Sequence, residues 1–214
     1  MFPVFKSPIL DHQRVSHGFF SKYHEISHVY DYFDTNHIIT VDQVHGSDVF
    51  VVTDLNHVHQ HPQADAIVTN INNIPISIRT ADCGPLLLFH EDPVVIGCAH
   101  VGWRGAFLNI IDDTIHAMES LGAKRHHIRC VLGPCISKTY YEVGNDFKAP
   151  DDFLHTKNGK IFFDLPSFIQ KKCDGLIFDF INLDTFVHPD IFHSRRFEKI
   201  TGLNQLSVIK ISKT

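Results

Sequence analysis

The sequence predicts an α+β fold, a mixed β-sheet flanked by a few helices. Three observations predict it. Short apolar or β-branched runs bounded by Gly, Pro or Asn recur along the chain. One segment shifts to a helical period. Strand-like runs outnumber helical ones, with neighbours spaced for antiparallel pairing.

Four runs read as strands: 49–55 (VFVVTDL), 65–70 (DAIVTN), 76–81 (ISIRTA) and 85–90 (PLLLFH). Residues 94–100 (VVIGCAH) follow a Glu-Asp-Pro turn and are apolar on both faces, as a central strand would be. From Gly105 to Gly122 the period changes. Phe107, Ile110, Ile111, Ile115 and Met118 recur at helical spacing, and Gly122 is a stop. Residues 128–134 (IRCVLGP) read as another buried strand, 163–173 (FDLPSFIQKKC) as a short helix after a turn, and 206–211 (LSVIKI) as a last strand. No repeat, low-complexity tract or linker divides the chain, so 1–214 reads as a single domain.

The bulk properties narrow the function. A chain of 214 residues can bury a proper core, and its 18 phenylalanines predict aromatic packing. Nineteen basic residues against 24 acidic ones leave a net charge of −5, with no lysine or arginine run. A nucleic-acid binder needs a cationic face to displace counterions, so no nucleic acid partner is expected. The N-terminus lacks the pattern of a signal peptide. The longest apolar stretches are too short to span a bilayer, so no membrane partner is expected. Five cysteines without a disulfide spacing fit a reducing, cytoplasmic location. HVHQH at 57–61 reads as a solvated loop. The oligomeric state is not written in the sequence.

The chemistry concentrates in three places. RTADCGP holds Cys83 in a tight turn between strands, either as an accessible thiol or as a small buried hydrophobe. CAHVGWRG places His100 at the end of a buried strand, either as a ligand or as a core histidine bonded to a carbonyl. The glycines around Trp103-Arg104 favour a close approach of backbone to something. VDQVHGSDV adds His45, again a His-Gly at the entry to a strand. One thiolate and two imidazoles suit a catalytic zinc with its fourth position open to water or substrate. The wide separation of the three does not by itself distinguish that site from three unrelated residues.

Six motifs occur in order: QVHG (43–46), ADAIVT (64–69), TADCGPLLLF (80–89), GCAHVGWRGA (97–106), LGPCI (132–136) and YEVG (141–144). With them the chain resembles the laccase-domain or polyphenol oxidase (YfiH) family, whose members are described as purine nucleoside phosphorylases. The match is dense over about 41–145 and thinner on either side. The resemblance implies a YfiH-like domain and one zinc ion at a His₂Cys site of His45, Cys83 and His100. It implies two reactions. One is phosphorolysis of adenosine or inosine with phosphate to base and ribose 1-phosphate. The other is adenosine deamination, which needs an acid/base group nearby. Asp82 is the candidate nearest in sequence, although adjacent strand residues face opposite ways; it is equally a turn-capping aspartate. Gly102 and Gly105 would let the turn pass close to substrate. Amides at the start of the following helix, with Arg104, would meet the phosphate. Trp103 could stack on the base or belong to the core, and Arg79 is a second cation.

The chain departs from the family pattern at its ends. Before QVHG it keeps HGFFS but not the usual Thr-Arg, Gly-Gly-Val-Ser and Asn-Arg segments. Later, Asp184-Thr185 replaces a Cys-Thr, SRR at 194–196 shortens a Ser-Tyr-Arg-Arg, and Leu203 follows Thr201-Gly202 in place of arginine. These changes leave the three ligands in place and bear on substrate identity. Three alternatives stand beside the zinc phosphorylase. A copper-dependent polyphenol oxidase, laccase-like, would use copper at the same ligands, but multi-copper catalysis needs many close His-X-His pairs and this chain offers one. A metal-free hydrolase would use Cys83 as nucleophile and His100 as base. A degenerate metal-binding protein would have the site without turnover.

Overall fold

The computed structural model describes residues 3–212. In chain order the strands and α-helices are β1 (Val4–Phe5), β2 (Val15–Phe20), α1 (Ile26–Phe33), β3 (Val49–Val52), β4 (Ala66–Thr69), β5 (Pro75–Thr80), β6 (Gly84–His90), β7 (Val95–Val101), α2 (Trp103–Phe107), α3 (Ile110–Ser120), β8 (Arg129–Leu132), β9 (Glu142–Val143), β10 (Leu154–Lys157), β11 (Lys160–Phe163), α4 (Leu165–Lys172), β12 (Ile177–Phe180), α5 (Arg195–Glu198) and β13 (Gln205–Ile211). A six-stranded sheet runs β12-β8-β6-β7-β4-β3, a four-stranded sheet β1-β2-β13-β5, and a small sheet β10-β11-β9. The large sheet is mixed. Its central pairs are antiparallel, and its outer pairs, β3 with β4 and β8 with β12, are parallel. The expected mixed α+β architecture is the one observed.

The core explains why β6 and β7 are apolar at almost every position. Successive strand residues point to opposite faces, and here both faces are covered. Leu86 and Leu88 of β6, with Ala99 and Val101 of β7, join a core containing Ile111, Ile115 and Met118 of α3 and Ile169 of α4. Leu87 and Phe89, with Ile96 and Cys98, face the second core, which holds Ile76 and Ile78 of β5 and Ile209 and Ile211 of β13. The molecule is therefore layered as sheet, sheet and helices. His100 shares the parity of Ile96 and Cys98, and Thr80 that of Ile76 and Ile78. Both thus fall at the end of the space between the two sheets.

Two elements differ from the sequence expectation. Strand 76–81 does not pair with its neighbours in the chain. It crosses to the second sheet as β5 and pairs with β13. Its apolar alternation reports burial and not the partner. The helix expected over 105–122 is two helices. Asn109 adopts a left-handed conformation, φ 70°, between α2 and α3. Asparagine tolerates that conformation better than most residues, and its Oδ1 accepts from Lys172 Nζ at 3.1 Å. The break lets α2 sit against the 43–46 loop while α3 packs on β7 and β4.

Candidate metal centre

His45, Cys83 and His100 come together although 55 residues separate the first from the last. Their ligand atoms all lie within 4.8 Å of one another, and the two imidazole rings meet edge to face with centroids 4.7 Å apart. Among the described residues this is the one group of three or more His, Cys, Asp or Glu donors arranged to hold a metal.

Asp65, fully buried just before β4, organises the group. Its Oδ2 accepts the amides of Val44 at 3.1 Å and Gly46 at 2.7 Å. Its Oδ1 accepts the His45 amide at 3.0 Å and lies 2.7 Å from His100 Nδ1. Its carbonyl accepts the His100 amide at 2.7 Å. One carboxylate thus pins the loop that carries the first histidine and orients the ring of the second. With Nδ1–H committed to Asp65, His100 Nε2 is left for the cluster, the carboxylate–histidine arrangement that supports a metal ligand. His45 itself has φ 61°, a left-handed conformation held by these three consecutive amides.

Gly102 lets the backbone stand close against the cluster. A Cβ on this residue would lie 3.1 Å from Cys83 Sγ, 3.2 Å from His45 Cδ2 and 4.0 Å from His100 Nε2. Two neutral-capable imidazoles, one thiol, a carboxylate behind one ring and a missing side chain in front fit a metal ion. The electrostatics agree. Burial pushes the Cys83 thiol up, but the His100 charge and hydrogen bonds from both histidines outweigh it and bring the pKa to about 6. Burial lowers His100, and the thiolate and Asp65 overcome this to raise it to about 9. Without metal the site is a thiolate–imidazolium pair. The Asp65 carboxyl, despite burial, is held below the usual range by His100 and the loop amides.

The donors open onto a cavity of about 450 Å³. Gln43, Arg79 and Thr80 line it, as do Arg195 and residues 200–204. No aspartate or glutamate lines it. Gln43 exchanges two hydrogen bonds with the Arg79 backbone, both 2.8 Å.

The other residues singled out from sequence are dispersed. Asp82, φ 80°, is buried, and its carboxylate accepts from the Thr185 hydroxyl at 2.7 Å and the Arg196 amide at 2.8 Å. It faces the C-terminal segment and does not line the cavity. Burial raises its carboxyl above the usual range against these bonds. Gly105 is buried, and a Cβ there would lie 2.8 Å from the Gly46 carbonyl, so it permits helix–loop packing. Trp103 packs against Phe107 and Phe147, ring centroids 5.9 and 5.2 Å away. It lines a separate depression with Tyr141, Phe147 and Arg196. Arg104 lies over the Trp103 ring at 5.1 Å and does not line the metal-site cavity. The helix they begin spans only five residues, little more than one turn of dipole. Sequence reasoning assigned no role to Asp65, Gln43 or Arg195. Asp65 stands immediately before an apolar strand, a position where a buried carboxylate must have partners, and that signal was available.

Comparison with known proteins accords with this geometry. The family model described as multi-copper polyphenol oxidoreductase laccase matches residues 23–212. A purine nucleoside phosphorylase of Rickettsia prowazekii is 32% identical over 184 residues, covering 80% of this chain and 75% of the relative. An adenosine deaminase from an unknown prokaryotic organism is 34% identical over 82 residues, covering 38% and 31%. The crystal structure of a Neisseria meningitidis protein of the DUF152 family superposes with a TM-score of 0.84 at 22% identity, covering 99% of each chain. No helix among the described residues is long and apolar enough to cross a membrane.

Proposed function

We propose that this chain, which belongs to the multi-copper polyphenol oxidoreductase laccase family, is a cytoplasmic purine nucleoside phosphorylase that works with one zinc ion held by His45, Cys83 and His100. The observation that carries the reading is the convergence of these donors at the floor of a cavity walled by arginine and free of carboxylates. The phosphorylase name of the Rickettsia relative supports it, and five free cysteines support a reducing compartment. In phosphorolysis the bond from ribose C1′ to the purine nitrogen breaks, an oxygen of hydrogen phosphate bonds to C1′, and the base leaves with the proton that the phosphate gives up. Zinc, when bound, supplies a Lewis acid and a template for phosphate or ribose oxygens. Asp65 keeps His45 and His100 in place for it, and Arg79 presents a cation to the anionic co-substrate. The cavity volume is in the range of small-molecule sites.

Adenosine deamination at the same centre is the second activity, and a relative carries that name. The cavity favours phosphorolysis over it. Deamination needs an acid/base group beside the purine, whereas no carboxylate lines the cavity and Asp82 is engaged elsewhere. Multi-copper oxidation finds one three-donor cluster among the described residues, too few ligands for several coppers.

Zinc-loaded protein incubated with adenosine or inosine, with and without phosphate, tests the reading by chromatography of the products. Free base formed only with phosphate is the expected result. Inosine formed from adenosine without phosphate adds the deaminase. Nucleosides recovered unchanged in every tube overturn both.

A further inference from the structure

We infer that Arg195 is an oxyanion-binding residue of the metal-site cavity and, on the phosphorylase reading, the principal phosphate ligand. Two adjacent arginines at the start of α5 have opposite fates. Arg196 is fixed. Its amide donates to Asp82 Oδ2 at 2.8 Å, its guanidinium donates to the Glu142 carbonyl at 2.8 Å, and it lies over the Tyr141 ring at 5.0 Å. Ser194 is buried and caps the helix, accepting from the Phe197 amide at 3.1 Å. Glu198 reaches back to the Ser194 amide at 3.2 Å. The backbone on both sides of Arg195 is thereby held, while its own side chain is exposed and lines the cavity. Its guanidinium meets no carboxylate or carbonyl among the described residues.

An exposed arginine is ordinarily just solvated. Three features set this one apart. Arg79 stands in the same cavity and already gives one N–H to the Val41 carbonyl at 3.3 Å. No carboxylate lines the cavity to neutralise the pair. The three metal donors line the same cavity. Two guanidinium forks beside a metal centre, in a cavity that no carboxylate lines, recognise a small multivalent oxyanion, for which arginine geometry is suited. Arg104, by contrast, lies over Trp103 and outside this cavity. Ile200 and Leu203, both exposed and lining the same cavity, add an apolar surface for a flat base.

Titration calorimetry of inorganic phosphate into the zinc-loaded protein, without nucleoside, tests the assignment apart from turnover. Arg195→Gln is expected to weaken phosphate binding roughly ten- to a hundredfold, the worth of a lost charge-assisted hydrogen-bond pair, with zinc content and melting temperature retained. Arg195→Lys should fall between, keeping the charge and losing the fork. Arg125→Gln removes the same charge from a half-buried ion pair with Asp112, away from the cavity, and is expected to bind phosphate as the parent does. Equal phosphate affinity in Arg195→Gln and the parent overturns the assignment, as does a parent that binds no phosphate. If Arg195 proves essential for phosphate binding and yet no base is released from nucleoside plus phosphate, the oxyanion site stands and the phosphorylase reading fails.

Discussion

Gly102 and Cys83 carry the tightest constraints on the centre. Gly102 has φ −81°, which any residue can adopt, so its requirement is space and not backbone freedom. In Gly102→Ala the new methyl would enter contacts of 3.1 and 3.2 Å with Cys83 and His45. We expect a folded protein whose zinc affinity falls by about ten- to a hundredfold, the scale of damage to a ligand's immediate support, read by metal analysis after dialysis against a weak chelator. Cys83 makes a second prediction. In metal-stripped protein its pKa of about 6 keeps it as thiolate at neutral pH, while the other four cysteines are buried. Alkylation by iodoacetamide should modify one thiol, with a rate that rises through pH 6 and levels above it. His100→Gln removes the charge that lowers this pKa and should move the inflection up toward the ordinary thiol range. An unshifted inflection near 8.5 in the parent would contradict the ion pair.

At the scale of elements, the break between α2 and α3 shows what periodicity conveys. Phe107, Ile110, Ile111, Ile115 and Met118 predicted one continuous helix, and all but Phe107 are fully buried. The pattern was right about the buried face and blind to a single left-handed residue within it. Asn109→Ala, placing a Cβ residue without local polar compensation at φ 70°, should cost about 1 kcal/mol, measured by urea unfolding; no loss would mean that the break does not need asparagine. The short helix expected over 163–173 forms as α4, and Asp164 caps it by accepting from the Ser167 amide at 3.1 Å. The β10–β11 hairpin was not foreseen, although Asn158 and Gly159 at positive φ are the Asn-Gly pair that favours a tight hairpin turn. That signal was legible. The pairing of β5 with β13, more than a hundred residues away, was not, because local alternation contains no information about the partner strand.

For the whole molecule, the metal site joins three segments that meet only in the folded state. The loop before β3, the turn between β5 and β6, and the end of β7 each supply one donor. A metal ion held by the three donors would couple its binding to folding. At a zinc concentration a thousandfold above Kd, binding should add about 4 kcal/mol, or roughly 8–16 °C in Tm for a chain of this size. Chelation should reverse the shift, and Cys83→Ala should abolish it. A Tm indifferent to zinc would mean that the three segments are not bridged.

The sequence by itself determined which three residues are the candidate donors, the buried strands β4 to β8, the apolar face of α3, the helix α4, and the family to which the six ordered motifs pointed. These follow from side-chain chemistry and local period, which a chain expresses without knowing its neighbours. Only the tertiary structure decided that Asp65 holds two histidines, that Asp82 turns to the C-terminal segment instead of the cavity, and that Arg195 and not Arg104 lines the cavity of the three donors. Each depends on residues 20 or more positions apart in the chain. Such contacts arise from how two sheets stack and where their open end falls, which no local pattern specifies.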